Sequence, residues 1–214
     1  MSAGTERSRV WVPALGLGAV VVFVALTVAA VSLYPASTSP VDIFLSDLGN
    51  AHYSPRGWLL FDVAMIAAGL LAIPFYVGVW RCCVGSGLPR LLRTALVAGI
   101  VNGLAVAMAG VVAEHVHLGA HIGWSLLIFV SFLPLLLAYG LVLWRRGGFS
   151  RAVGAYGFAV CLTDLGLLAA LFVGGPESGP GSLMEWVAVF AYLAWVGLVS
   201  VDLLVTKRPR SLSS

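Results

Sequence analysis

Residues 121–143 read HIGWSLLIFVSFLPLLLAYGLVL, a run without a single Asp, Glu, Lys or Arg. At ~1.5 Å per residue, about 20 apolar residues in a helix cross the ~30 Å hydrocarbon core of a bilayer. Five further blocks meet the same test: Val10–Leu33, Trp58–Trp80, Leu91–Ala113, Val153–Gly174 and Met184–Thr206. The links between them are too short to hold a separate soluble domain. The expected architecture is therefore an all-α integral membrane protein. It forms one six-transmembrane-helix bundle over residues 1–214, with an ordered outer loop between the first two helices.

Composition agrees. Charged residues make up 10% of the 214 positions and hydrophobic residues 60%, against roughly 25% charged in a soluble domain. Arg7 and Arg9 precede the first block, as they would in a signal peptide. Its apolar stretch is about twice the ~7–15 residues of a signal h-region, so an uncleaved helix is expected. Basic residues favour the cytoplasmic side. With the N-terminus inside, Arg7, Arg9, Arg81, Arg90, Arg93, Arg145, Arg146, Arg151, Lys207, Arg208 and Arg210 all fall there, and Arg56 alone falls outside. Trp11, Trp58, Trp80, Trp124, Trp144 and Trp186 stand near block ends, where an interfacial aromatic belt belongs. The expected location is the cell membrane, multi-pass, with both termini cytoplasmic. The net charge of +3 then describes a collar against anionic headgroups, and no nucleic-acid partner is expected. Cys82 and Cys83 lie on the reducing side and Cys161 within the fifth helix, so no disulfide is expected.

The longest outer segment, residues 34–57, reads YPASTSPVDIFLSDLGNAHYSPRG. Ile43, Phe44, Leu45 and Leu48 give it an apolar face, which predicts a short interfacial helix lying back on the bundle. Gly99 and Gly103 form a GxxxG pair, and Gly69 lies among alanines; such small residues let helix backbones approach in lipid. Pro74 and Pro134 lie inside their helices and should kink them.

The titratable groups are one-sided. His52, His115, His117 and His121 all fall at the outer end, with Asp42, Asp47, Asp62, Glu114, Glu177 and Glu185. Asp62 lies one turn past Trp58, roughly 6 Å below the interface, and a carboxylate at that depth should face the interior and find a partner. Glu114, His117 and His121 follow an i, i+3, i+7 spacing. Together they form a candidate divalent metal site, zinc being the natural choice for a His-x3-His pair with a carboxylate; a chain reversal between the helices would break that register. Asp164 lies in the middle of the fifth helix, and Asn102 at a matching depth in the third, which makes them a candidate intramembrane polar pair. Helix glue is the structural reading of the same pair. Asp202 is expected to pair with Lys207 or Arg208. No nucleophile elbow, P-loop, dinucleotide fingerprint or HExxH occurs.

The stretch Phe44 to Phe75, FLSDLGNAHYSPRGWLLFDVAMIAAGLLAIPF, resembles a bacterial and archaeal membrane family known as domain of unknown function 998. The resemblance rests on Ser46, Asp47, Leu48 and Gly49 with Pro55 following, and on His121 opening the fourth helix after Gly110. The usual proline after the third-helix glycine is not evident at residues 111–113. The layout is also distantly similar to the Frag, DRAM and Sfk-type six-helix membrane proteins. Those relatives imply membrane lipid as the partner. The leading expectation is thus an outward-facing acidic and histidine pocket that binds or modifies a lipid. Asp47, Asp62 and His121 are its candidate catalytic residues; Arg56, Glu185 and Asp42 are candidates for substrate binding. A proton- or ion-coupled transporter using Asp164 and Asn102 is the alternative, a non-catalytic scaffold a third, and homo-oligomerisation is left open.

Overall fold

Apolar length decides where each helix lies, and the interfacial residues at its ends decide how far it continues. The computed structural model describes residues 3–36, 38–145, 149–174 and 179–205. They form α1 (Ala3–Ser32), α2 (Trp58–Cys83), α3 (Pro89–Val111), α4 (Leu118–Arg145), α5 (Arg151–Gly174) and α6 (Gly179–Val205). All six are long and apolar enough to cross a membrane, and no strand occurs among the described residues. This is an all-α bundle of a multi-pass membrane protein, in which each helix satisfies its own backbone groups. Several helices outrun their apolar blocks: α1 begins at Ala3, α2 reaches Cys83 and α4 runs from Leu118 to Arg145. Bilayer plus headgroups spans roughly 40–45 Å, so a helix can carry polar end residues. Lys207, Arg208, Arg210, Arg146 and Glu177 lie outside the described residues.

The helices form a ring. Each packs on its neighbours in sequence, and α6 closes on α1. Small residues set the α2–α3 contact: a methyl group at Gly69 would fall 2.5 Å from the Gly103 carbonyl oxygen, and one at Gly110 would fall 2.6 Å from the Asp62 carbonyl oxygen. Gly99 lies under the Tyr76 ring. Gly69, Gly99 and Gly103 thus take the close-packing role read from the sequence.

One end of the ring is capped by the segment between α1 and α2, of which residues 33–36 and 38–57 are described. A single 3-10 turn, Ser46–Gly49, stands where a short interfacial helix is expected. At the opposite end Asp202 accepts a hydrogen bond from the Ser150 amide at 2.8 Å. That puts a carboxylate at the start of α5, where the helix dipole favours negative charge.

The half of the bundle away from the cap is filled. Phe75, Tyr76, Leu135, Leu136, Tyr139, Val142, Leu143 and Trp195 are all fully buried. The Tyr139 hydroxyl donates to the Tyr76 carbonyl at 2.9 Å. Tyr76 and Tyr139 stack with ring centroids 6.4 Å apart, and Trp195 lies 6.3 Å from Tyr139.

Candidate functional site

The last carbonyls of a helix have no intrahelical partner and carry its negative dipole end. At the capped end of α3 a histidine from the first turn of α4 meets two of them. His121 Nδ1–H donates to Ala109 O at 3.1 Å and to Val112 O at 2.9 Å. The proton is assigned to Nδ1 because both neighbours are acceptors. In the neutral ring Nε2 is then an acceptor. His121 is only 6% exposed, and its Nε2 is buried without a hydrogen-bond partner among the described residues.

His121 lines a partly enclosed cavity of about 70 Å³ between α1, α2, α3, α4 and α6. Its walls are mostly apolar, with Phe23, Phe61, Met65, Phe129, Phe132 and Val189 among them, and its polar members are Ser46, Asn102, His121, Ser125, Glu185 and Tyr192. Glu185 joins the cavity to the cap: its Oε2 accepts the Leu45 amide at 2.7 Å. One residue on, Trp186 Nε1 donates to Ile43 O at 3.0 Å. The two interactions draw Leu45 and Ser46 over the cavity as its lid.

At the deep end Asn102 is fully buried and uses all its capacity. Its Nδ2 donates to Ile128 O at 3.2 Å and Ser131 Oγ at 3.1 Å, and its Oδ1 accepts from the Tyr192 hydroxyl at 3.2 Å and, at 3.4 Å, from that of Tyr76. Beyond it begins the aromatic packing of the far half.

A family profile described as "Protein of unknown function (DUF998)" matches residues 17–202, a span that contains every residue lining the cavity. The chain belongs to the DUF998 family. No curated protein and no solved structure shows a significant match.

In this DUF998 chain the four-residue element Ser46–Gly49 is held by its own side chains and by its neighbours. Asp47 Oδ2 accepts the Phe44 amide at 2.8 Å. Loss of solvent around Asp47 pushes its carboxyl up to about 6; the Phe44 hydrogen bond opposes this and the Glu114 charge adds to it. Gly49 abuts Asp62, since a methyl group there would lie 2.6 Å from Asp62 Oδ1. Further along, Asn50 Nδ2 donates to Glu114 Oε1 at 3.1 Å, and the Ala51 amide donates to His115 Nδ1 at 3.3 Å. His115 also packs edge-on against Trp58, with centroids 4.9 Å apart.

The sequence candidates therefore part company. His121 and Glu185 line the cavity; Asp47 and Asp62 do not. Asp62 is buried as expected, but against Gly49 of the cap. Arg56 and Asp42 are exposed and stand outside the lining. Glu114, His117 and His121 do not converge. Helix α3 ends at Val111, Glu114 holds Asn50, and His117 is exposed, with its Nδ1 accepting the Ala120 amide at 3.3 Å as a cap for α4. No cluster of three metal-ligating side chains occurs among the described residues. Asn102 bonds to α2, α4 and α6, whereas Asp164 is fully buried with both oxygens unpartnered among the described residues. The sequence reading named Ser46 only within the SDLG element and missed Ser125, Tyr192 and Tyr76. Ser125 carried a usable signal, one turn along α4 from His121 on the same face. The tyrosines gave none, being single aromatics in apolar helices.

Proposed function

We propose that this protein binds a membrane lipid at its capped end, holding the lipid's polar end in the cavity beside His121 and Glu185. The observation that carries the reading is the orphan Nε2 of His121. A buried polar atom without a partner costs about 1–3 kcal/mol. It belongs to a residue that lines a largely apolar cavity, the usual form of a small-molecule site, and a ligand's polar end that reached it would satisfy it. The arginine distribution supports an external position for the capped end. The filled aromatic half supports binding over passage, because no lining residue of the cavity lies beyond Ala72, Asn102 and Val196 on their helices.

The test is lipid analysis of protein purified in mild detergent, beside a Val189→Trp variant. Val189 is a half-buried lining residue, so a tryptophan there blocks the cavity from its rim. A lipid held in stoichiometric amount by the parent and lost from the folded variant is the expected result. Equal lipid content in both proteins would sink the proposal.

A further inference from the structure

We infer that the lipid held here ends in an uncharged hydroxyl group, making it a lipid alcohol. This rests on the lipid-binding reading above and narrows it to a chemical class. The argument is an inventory of what the cavity has left to offer. His121 Nδ1–H is taken by two carbonyls, which in the neutral ring leaves Nε2 as an acceptor. Asn102 makes two donor and two acceptor bonds and has none spare. Glu185 is engaged with the Leu45 amide. The remaining groups are the hydroxyls of Ser46 and Ser125, which can donate or accept, and the Tyr192 oxygen, which gives its proton to Asn102 and can still accept.

Among the described residues no Lys or Arg lines the cavity, and Arg56 is exposed on the cap. A phosphate monoester or diester would lose its hydration with no cation to meet it, next to a carboxyl group, and an unpaired buried ion costs several kcal/mol. An ammonium group would also be desolvated, against a Glu185 carboxyl whose Oε2 already serves the cap. A hydroxyl carries no such cost. It can donate to Nε2, a buried nitrogen of the cavity lining that has no partner among the described residues.

Size points the same way. At about 70 Å³ the cavity is about half of the ~150 Å³ that holds benzene, which favours a small polar end over a sugar or inositol ring. The rest of the chain would remain among the helices or in the bilayer.

The experiment uses the full chain in detergent and four probes of equal chain length: hexadecan-1-ol, its methyl ether, hexadecyl phosphate and hexadecylamine. Each competes against a photoactivatable hexadecanol, with labelled peptides identified by mass spectrometry. Hexadecanol should bind at least about tenfold tighter than the ether, the ratio for ~1.4 kcal/mol, and tighter than the phosphate or the amine. His121→Ala should abolish the preference over the ether, and His121→Gln, which keeps an acceptor, should retain part of it. Equal binding of alcohol and ether, or tighter binding of phosphate or amine, overturns the inference and leaves the cavity as a lipid site. Labelling that avoids the lining residues for every probe refutes the lipid site itself. Should His121→Ala fail to fold, the order of the four probes on the parent decides.

Discussion

Gly49 of the cap rests directly on the carboxylate of Asp62 in α2, leaving no room for a side chain: Asp62 Oδ1 would be 2.6 Å, and Phe61 Cδ1 3.0 Å, from an added methyl group. The cap is thus seated on the first turns of α2 by a backbone contact. Gly49→Ala should destabilise the fold by about 1–3 kcal/mol, the usual range for forced overpacking. Asp62→Ala removes the nearest obstacle, so the double variant should recover part of that loss. A double-mutant cycle on thermal unfolding in detergent measures it, and strict additivity would show that the contact is not felt.

Asp47 makes the fold pH-sensitive at the capped end. Its carboxyl ordinarily titrates near 3.8 and is pushed up to about 6 by burial. The folded state therefore binds this proton more tightly than the unfolded state, and the contribution favours folding at low pH. It should be fully present below about 3.8 and disappear as pH rises through 6. The melting temperature of the parent, compared with Asp47→Asn, should show an excess that grows from pH 7 to pH 5. Parallel curves for the two proteins would refute it.

Glu185 should act as the latch of the lid. Glu185→Ala removes the acceptor of the Leu45 amide, and hydrogen exchange at Leu45 and Ser46 should speed up by about two- to tenfold, as expected for losing a hydrogen bond of ~0.5–1.5 kcal/mol. Glu185→Gln keeps an acceptor and should change exchange much less.

Asn102 ties four partners on three helices. Hydrogen bonds between membrane helices average ~0.6 kcal/mol, so Asn102→Leu should cost about 2 kcal/mol in reversible unfolding in detergent. Ser131→Ala should cost only a fraction of that, since the other partners of Asn102 remain.

Asp164 predicts the opposite sign. Its two carboxyl oxygens are buried and unpartnered among the described residues, a burden of about 1–3 kcal/mol. Asp164→Val should raise the melting temperature. A lower one would indicate that the aspartate has a partner in the folded protein.

The helices were legible because length and apolarity alone define a membrane span, and small residues at Gly69, Gly99 and Gly103 declare where two spans touch. Depth was legible too: Asp62 and Asn102 are buried at the levels their positions imply. Direction was not. In a helix apolar on every side, no alternation fixes its rotation about its own axis, so Asp62 reads equally well as facing a pocket or, as found, the cap. Asn102 and Asp164 share a depth, yet α3 and α5 are separated in the ring by α4. The order of packing is a property of the whole bundle that neither helix carries. His121 was identified through its place at the head of α4. Its orphan nitrogen could be recognised only once the end of α3 was seen to occupy the other one.

The buried rings of Tyr76, Tyr139 and Trp195 turn the cavity into a blind alley. A lipid held as proposed would leave by the side from which it came, and its occupancy would follow the supply in the leaflet at the capped end.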